Sequence, residues 1–440
     1  MSWKAPARPD WVEGVNRGGG GPAWDAADLP LSADEWLRTA AAQRGVDIGT
    51  ARRLDAAFGA PGFEAEFALA QLRRLGEALE HEARLHRVGR WLTRRFLLRL
   101  IEVRFQLMAA LAQDPGIADE EVRAPVFVAG APRTGTTILH RLLAADARHR
   151  VPLGWELLRP LPTPRSALVS TEEATEDARI GLAEVELSGP QSVVQDLRSI
   201  HTYAASRPKE CLSAMSFAFQ SEEFTARYAI PSYEAWLEAS DMAPAYRMHR
   251  LVLQVLQRRQ DRVRWVLKSP VHLHALPVLF GAYPDAKVAI THRNVPTLLA
   301  SLTSLIATLR YAHSDSVDVA AIGTHHVDRY AATFERLVDA TEAGALPEGQ
   351  IHHSHHRAFI DDPIAVAREL YGQFEISLPA DVEAAMRAVV ETKTDDHAGA
   401  HRYDRDLVGI APDRLAARFV RYHEAFGLDT DTANPAQSPS

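Results

Sequence analysis

The stretch G-A-P-R-T-G-T-T, from Gly130 to Thr137, decides the fold of this 440-residue chain. It follows the short apolar run V-F-V-A at 126–129 and leads directly into the sequence I-L-H-R-L-L at 138–143. A strand, a turn that contains glycine and a helix form the arrangement in which backbone N–H groups and a helix N-terminus bind a phosphate. We therefore predict a phosphate-binding loop at 130–137, preceded by a buried parallel strand.

The loop departs at one position from the P-loop pattern G-x-x-x-x-G-K-[ST]. Thr136 stands where that pattern has its lysine, whereas Gly130, Gly135 and Thr137 all match it in spacing or residue type. Because the lysine reaches the β- and γ-phosphates of a nucleoside triphosphate, its absence argues against a kinase or an ATPase. Arg133 supplies a cation at a different point of the loop.

Similar apolar runs recur further along the chain. V-R-W-V-L at 263–267 and A-K-V-A-I-T at 286–291 are two of them, and a weaker run surrounds Ile351. Helical patterns separate these runs, at 137–146, 232–259, 294–310 and 324–343. Strands that alternate with helices predict the α/β class, here a P-loop-like parallel sheet flanked by helices, which we assign to residues 123–428.

The residues before this core have a different pattern. Residues 1–31, which hold three tryptophans and a glycine run, predict an irregular arm that packs against its own protein. Ser32 and Glu35 match the capping box of a helix start, and apolar residues then recur every three or four positions from about 63 to 112. We predict a helical N-terminal extension over 32–122 that covers an acceptor pocket. Its interleaved arginines leave contact with a membrane surface open as an alternative.

The composition excludes several classes of protein. The chain is 46% hydrophobic and 24% charged, which is usual for a soluble globular protein, and we predict disorder only for the polar tail 429–440. A net charge of -8 argues against a nucleic-acid partner. The single cysteine, Cys211, leaves no intramolecular disulfide and no multi-cysteine zinc site. Since neither a signal-peptide pattern nor a run of about 20 apolar residues is present, we expect a cytoplasmic protein.

A histidine cluster raises the question of a metal. His352, His353, His355 and His356 lie close together, but alternation along a strand would divide them between two faces. No carboxylate stands at ligand spacing before Asp361. We therefore predict no metal site.

The motif P-R-T-G-T-T at 132–137 resembles the 5′-phosphosulfate loop of sulfotransferases that use 3′-phosphoadenylyl sulfate (PAPS). It is most similar to the branch that has arginine in this loop, which includes the protein-tyrosine sulfotransferases and a broad bacterial group. The resemblance implies that the 5′-phosphosulfate is held by Arg133, Thr134, Gly135, Thr136 and Thr137, with Arg133 beside the transferring group.

A second motif stands where the resemblance requires it. T-H-R-N-V-P-T-L-L-A-S at 291–301 places Arg293 after a strand and Ser301 in the following helix, eight residues later. The family's 3′-phosphate motif has an arginine and a serine at this separation, and arginine offers a bidentate fork to a phosphate. Weaker similarities extend the resemblance over about 60–428, and they include L-K-S-P-V-H-L at 267–273, F-I-D-D-P at 359–363 and H-R-Y-D at 401–404.

The resemblance also implies the catalytic groups. Lys268, at the end of a predicted strand, corresponds to the lysine that stabilises the transferring group. In the arginine branch the base is a glutamate about twenty residues after the loop arginine, and Glu156 stands 23 positions after Arg133. His272 is the rival for this role and His201 a weaker one, since histidine suits base chemistry near neutral pH. Arg402 is a further candidate for contact with a phosphate of the donor.

These observations predict an enzyme that moves a sulfuryl group from PAPS to a hydroxyl of a small-molecule, lipid or carbohydrate acceptor. Two alternatives stay open. One is a P-loop kinase-like phosphotransferase in which Lys268 or Arg133 replaces the missing lysine, and it would require Mg²⁺. The other is a nucleotide-binding or membrane-surface protein without catalytic activity. No pattern in the sequence indicates an oligomeric state.

Overall fold

A five-stranded parallel sheet forms the centre of the computed structural model, which describes residues 3–161, 176–197, 204–258, 260, 264–392 and 408–428. The strands, in the spatial order β2-β3-β1-β4-β5, are β1 (Val126–Gly130), β2 (His149–Arg150), β3 (Arg264–Lys268), β4 (Lys287–His292) and β5 (Ile351–His355). All neighbouring pairs are parallel. The prediction of a parallel α/β sheet flanked by helices is confirmed.

Strand β1 lies in the middle of the sheet because its side chains are apolar on both faces. Val126 and Val128 pack on one side with Leu139 and Leu142, whereas Phe127 belongs to the larger core on the other side. Alternation of side chains along a strand produces this division. The sheet therefore has helices on both faces, and its carboxyl edge is left for ligands.

The N-terminal extension is helical, as predicted, and packs onto the same core as the sheet. Helix α1 (Asp10–Asn16) precedes the extension, whose own helices are α2 (Ala33–Arg44), α3 (Ala51–Phe58), α4 (Ala65–His81) and α5 (Arg87–Gln113). A helix at Asp10–Asn16 differs from the irregular arm that we predicted. It forms because Val12 and Val15 are buried and acidic residues stand in its first turn.

Two of the three tryptophans of the arm, Trp3 and Trp24, lie against the rest of the chain. Trp3 packs edge-on against Tyr311 with ring centroids 5.8 Å apart, and Trp24 contacts Trp91 at 4.7 Å. The arm is thus docked on its own protein.

The remaining helices belong to the α/β core. They are α6 (Thr136–Ala144), α7 (Gly154–Leu158), α8 (Glu176–Val193), α9 (Leu212–Met215), α10 (Glu222–Arg227), α11 (Pro231–Ala239), α12 (Ala243–Gln257), α13 (Leu276–Ala282), α14 (Val295–Tyr311), α15 (Val319–Glu342), α16 (His356–Asp361), α17 (Pro363–Gln373), α18 (Ala380–Glu391), α19 (Pro412–Ala417) and α20 (Val420–Ala425). In the described part of the chain, no helix combines the length and apolar character that crossing a bilayer requires.

Candidate active site

The loop between β1 and α6 has an unusual backbone. Gly135, immediately before α6, has φ +101°, and Arg133 has φ +70° although it carries a side chain. A non-glycine residue in this left-handed region costs on the order of 1–2 kcal/mol, and such strain concentrates at functional sites. Gly130 is needed for a different reason, because a Cβ there would lie 2.3 Å from Oγ1 of Thr291. The loop and β4 therefore approach each other closely.

Thr134 holds the loop against β4. Its Oγ1 donates to the carbonyl oxygen of Ala131 at 2.6 Å and lies 2.5 Å from Oγ1 of Thr291. The side chain is buried. Of the loop residues predicted to bind the donor, Thr134 thus uses its hydroxyl to support the loop, while Thr136 and Thr137 line a neighbouring cavity.

The structure brings the two predicted phosphate motifs together. Gly130 and Thr291 are opposite each other in the pairing of β1 with β4, so Arg293 follows β4 beside the loop. Nη1 of Arg293 donates to the carbonyl oxygen of Arg133 at 2.7 Å. Ser301, in α14, lines the same cavity as Arg133. Two segments more than 150 residues apart in sequence thus form one basic edge of the sheet.

His356 lies at this edge as well, although we did not assign it to the site from the sequence. It follows β5, whose last residue His355 pairs with His292, the residue before Arg293. Burial and the positive charges of Arg293 and Arg133 lower the pKa of His356 to about 4. Its position directly after a strand next to β4 is the signal that could have indicated it.

A cavity of about 240 Å³ opens beside the loop. Arg133, Thr136, Thr137, Lys268 and Ser301 all line it. Its lining includes the aliphatic side chains of Leu187, Leu197, Leu302, Leu305, Ile306 and Leu309. The lining also carries acidic, basic and histidine side chains besides Arg133 and Lys268, namely Glu186, Lys209, Glu210, Glu222, Glu223, Arg227, Glu234, His274, His325 and His326.

The N-terminal extension contacts a residue that lines this cavity. Among the described residues, those that line the cavity begin at Pro132, so none comes from the extension. Arg99 of α5 instead forms an ion pair with the lining residue Glu186, from Nε to Oε2 at 2.7 Å. The role of acceptor-pocket cover that we predicted for residues 32–122 stays a prediction.

Lys268 and Glu210 form an ion pair at the cavity wall. Nζ of Lys268, the last residue of β3, lies 2.8 Å from Oε1 of Glu210. Burial and the charge of Lys268 lower the pKa of His140, in the second turn of α6, to about 4. Glu210 was not predicted, because P-K-E-C at 208–211 matches no motif that we used.

The other lining carboxylates have different environments. Burial alone would raise the pKa of Glu223, but the charges of Lys209 and Arg227 outweigh it and lower this pKa to about 2. Burial raises the pKa of Glu234. Glu222 accepts a hydrogen bond from Arg329. Glu223 is consequently a weak proton acceptor, whereas Glu234 favours the protonated form more than an exposed glutamate does.

Glu156 is not brought to the cavity. Its Oε2 accepts from the backbone N–H of Leu153 at 2.9 Å, and its Oε1 accepts from Nη2 of Arg150 at 2.5 Å. The side chain is buried at the start of α7, where it closes the helix N-terminus and neutralises an arginine. These contacts account for the glutamate without a role in proton transfer.

His272, the histidine alternative that the structure describes, does not line the cavity either. His272 is fully buried, with Nε2 3.0 Å from Sγ of Cys211 and Nδ1 2.9 Å from the hydroxyl of Tyr246. Burial and the neighbouring His249 lower its pKa well below the ordinary value. His201 and Arg402, together with the motif at 401–404 and the tail at 429–440, lie outside the described residues.

Comparisons with known proteins point to one family. Residues 125–380 match the model of the sulfotransferase family, a span of more than half of the chain. The omega-hydroxy-beta-dihydromenaquinone-9 sulfotransferases Stf3 of Mycobacterium bovis and Mycobacterium tuberculosis are each 27% identical over 340 residues, which cover 71% of this chain and 77% of theirs.

Solved structures agree with this match. Sulfotransferase STF1 from Mycobacterium tuberculosis superposes with a TM-score of 0.71 at 29% identity, over 88% of this chain and 97% of its own. Sulfotransferase STF9 from Mycobacterium avium gives a TM-score of 0.72 at 22% identity, over 91% and 97% of the two chains, and shows that the fold is shared.

Proposed function

The chain belongs to the sulfotransferase family, and we propose that it transfers a sulfuryl group from PAPS to a hydroxyl of an acceptor bound in the cavity. The observation that carries this proposal is the contact of Arg293 with the backbone of Arg133, which joins the two phosphate motifs next to the cavity. Membership of this family favours sulfuryl transfer over the kinase-like alternative.

The residues at the edge of the sheet fit a donor with phosphates at both ends of its ribose. Arg133, Thr136, Thr137 and the backbone N–H groups at the start of α6 would hold the 5′-phosphosulfate. Arg293 and Ser301 would hold the 3′-phosphate, since a guanidinium binds a phosphate through two parallel hydrogen bonds. Arg293 contacts the backbone carbonyl oxygen of Arg133, and the positive charges of both side chains act on His356, so a polyanion between the two guanidinium groups would be stabilised by both.

The transfer itself requires a base and cations. The acceptor oxygen attacks the sulfur atom, the bond from sulfur to the bridging phosphate oxygen breaks, and adenosine 3′,5′-bisphosphate leaves with the electron pair. Arg133 and Lys268 would neutralise the charge that develops on the bridging oxygen. Glu210 would accept the proton of the acceptor hydroxyl, because it lines the cavity and Glu156 does not.

The ion pair of Lys268 with Glu210 is compatible with both roles. Nζ carries three N–H donors, so Lys268 can bind the anionic donor and still contact the carboxylate. As the donor draws on the positive charge of Lys268, Glu210 becomes a stronger base for the acceptor. The 26% exposure of the Glu210 side chain leaves it accessible from the cavity, whereas Lys268 is 7% exposed.

The cavity favours an acceptor that is largely apolar next to its hydroxyl. Aliphatic side chains, four of them from α14, line the cavity, and burial of each methylene group contributes about 0.8 kcal/mol. The relatives named Stf3 act, by their names, on an omega-hydroxylated dihydromenaquinone, an apolar molecule with a hydroxyl. We therefore place lipid-like alcohols ahead of carbohydrates among the acceptors.

A transfer assay tests the proposal. The purified chain is incubated with PAPS labelled on sulfur and a panel of alcohols that differ in apolar length, and labelled products are separated from the donor. We expect one class of alcohol to become labelled, with release of one adenosine 3′,5′-bisphosphate per product, and tight binding of that nucleotide but not of ATP. Preferential binding of ATP, or transfer from ATP to the same alcohols, would overturn the proposal.

A further inference from the structure

His292 connects the 3′-phosphate motif to two distant parts of the chain. It is the last residue of β4, stands next to Arg293 and is completely buried. Its Nδ1 lies 2.7 Å from the hydroxyl of Tyr422, and its Nε2 lies 2.9 Å from Nδ1 of His353. Both ring nitrogens therefore have partners, one from α20 and one from β5.

One face of the His292 ring is also in stacking contact with an aromatic side chain. Phe426 stacks on it with centroids 4.3 Å apart and an angle of 18° between the planes. A neutral imidazole has one donor and one acceptor nitrogen, so two bonded nitrogens and one stacked face leave it a single orientation. Burial, with His353 and His355 nearby, lowers the pKa of His292 well below its ordinary value and keeps the ring neutral.

The C-terminal helix α20 contacts the chain on the other side of Arg293 as well. The backbone N–H of Val295, the first residue of α14, donates to Nε2 of His423 at 3.4 Å. Tyr422 itself stacks on Phe334 at 3.9 Å and an angle of 14°. Residues 292 and 295 are thus both held by α20, and Arg293 lies between them.

We propose that Tyr422 and His353 are positioning residues, which act through His292 to set Arg293 for the 3′-phosphate of the donor. This inference rests on the proposed function, because it assumes that Arg293 binds that phosphate. Arg293 must reach the phosphate while its Nη1 contacts the carbonyl oxygen of Arg133, so a small displacement of the end of β4 changes both contacts. The bonds to His292 prevent that displacement.

Two nucleotides measure the position of Arg293 directly. Adenosine 3′,5′-bisphosphate carries the 3′-phosphate and adenosine 5′-monophosphate does not, so the dissociation constant of the monophosphate divided by that of the bisphosphate reports on the 3′-phosphate contact. Titration calorimetry on the full chain gives both constants. Tyr422→Phe removes one hydroxyl and keeps the stacked ring on Phe334, so we expect it to fold and to reduce the ratio about fivefold, mainly by weaker binding of the bisphosphate.

The chain offers a matched control. The hydroxyl of Tyr283 lies 2.7 Å from Nδ1 of His249, a buried Tyr–His pair with the same distance as Tyr422 and His292. Tyr283→Phe should leave the ratio unchanged. His353→Phe keeps an aromatic ring beside Phe426 and removes the other bond to His292, so it should lower the ratio by a similar factor.

The outcomes separate this inference from the proposed function. If the wild-type chain binds the two nucleotides equally well, Arg293 does not hold a 3′-phosphate and the proposed function fails. If the wild type discriminates but Tyr422→Phe and His353→Phe do so equally well, the positioning role is wrong and the proposed function stands. An equal loss of affinity for both nucleotides would also overturn it, because a general structural defect has no preference for the 3′-phosphate.

Discussion

Nζ of Lys268 lies 2.8 Å from Oε1 of Glu210, and the two side chains line one cavity with Arg133 of the phosphate loop. Lys268 ends a strand next to β1, so the sheet itself determines where the ammonium group stands. Glu210 belongs to a different segment, and the backbone N–H of its neighbour Cys211 donates to the carbonyl oxygen of Lys268 at 3.1 Å. Glu210 and Lys268 are therefore held together by a backbone hydrogen bond as well as by their charges.

Glu210→Gln tests the base. Glutamine keeps the size of the side chain but accepts a proton far less readily, so we expect kcat to fall by about 10²- to 10⁴-fold, the usual contribution of a general base. Affinity for adenosine 3′,5′-bisphosphate should change little. Steady-state kinetics and nucleotide titration check the two parts. Glu234→Gln is the control in the same cavity, and a collapse of kcat in that variant instead would move the base to Glu234.

Glu156→Gln should affect stability rather than turnover. The substitution removes the charge that pairs with Arg150 and weakens the bond to the N–H of Leu153. A hydrogen bond to a charged group contributes about 1.5–3 kcal/mol, so the free energy of unfolding should fall by about that amount. Urea unfolding gives this value. A loss of kcat of about 10²-fold or more in a variant that stays folded would restore Glu156 as the base.

The comparison of Glu156 with Glu210 shows which parts of the candidate site could be predicted from the sequence. Phosphate binding uses a local pattern of strand, loop and helix, and the sheet then brings Arg293 to Arg133, so the motifs and their meeting at one edge were predictable. The number of residues between Arg133 and a glutamate, in contrast, does not predict whether the glutamate reaches the site. Whether position 156 faces the cavity depends on α7, whose first turn uses the carboxylate as a cap.

Ser32 and Glu35 give a second example of a local pattern changed by a tertiary contact. They match the capping box, and α2 does begin at Ala33, but the Ser32 side chain makes no cap and the carboxylate of Glu35 binds Arg94 of α5. The helix start was predictable from the pattern. The hydrogen bonds were not, because an arginine 59 residues away competes for the same carboxylate.

The predicted helical stretch 232–259 contains a sequence signal for a helix break. The structure divides it into α11 and α12, with a break at 240–242. The carboxylate of Asp241 accepts from the N–H of Ala243 at 2.9 Å, and Pro244 stands in the first turn of α12. The N-cap is Met242, so the signal is an aspartate whose side chain binds the backbone two residues on, followed by a proline in the first turn of the helix.

Arg133 combines a functional charge with a strained backbone, and two variants separate these properties. Arg133→Ala and Arg133→Gly both remove the guanidinium, so both should abolish product formation. Only glycine adopts φ +70° without steric cost, so Arg133→Gly should be more stable than Arg133→Ala by about 1 kcal/mol. Thermal or urea unfolding of the two proteins measures the difference. Equal stabilities would mean that the loop is not strained, and undiminished activity would mean that Arg133 does not contact the donor.

His356 should make binding of the donor depend on pH. Burial and the charges of Arg293 and Arg133 lower its pKa to about 4 from the usual 6.5, so it is neutral near pH 7 in the free protein. A bound polyanion neutralises both arginines and favours the protonated imidazole, so this pKa rises and binding takes up a proton as the pH falls. As the pH falls from about 8 to 5.5, the affinity of the wild type for adenosine 3′,5′-bisphosphate should therefore increase relative to the affinity of His356→Gln.

The comparison with His356→Gln cancels the part of the pH dependence that comes from protonation of the ligand. The phosphates titrate in the same way with either protein. Calorimetry in two buffers of different ionisation enthalpy counts the protons taken up, and the wild type should take up more than the variant at the acidic end. Because the unfolded chain binds a proton at His356 more readily than the folded chain, free wild-type protein should also lose stability relative to His356→Gln as the pH falls through 6.5. An affinity ratio of wild type to variant that stays constant across this range would show that His356 does not respond to the bound anion, and would place it outside the donor site.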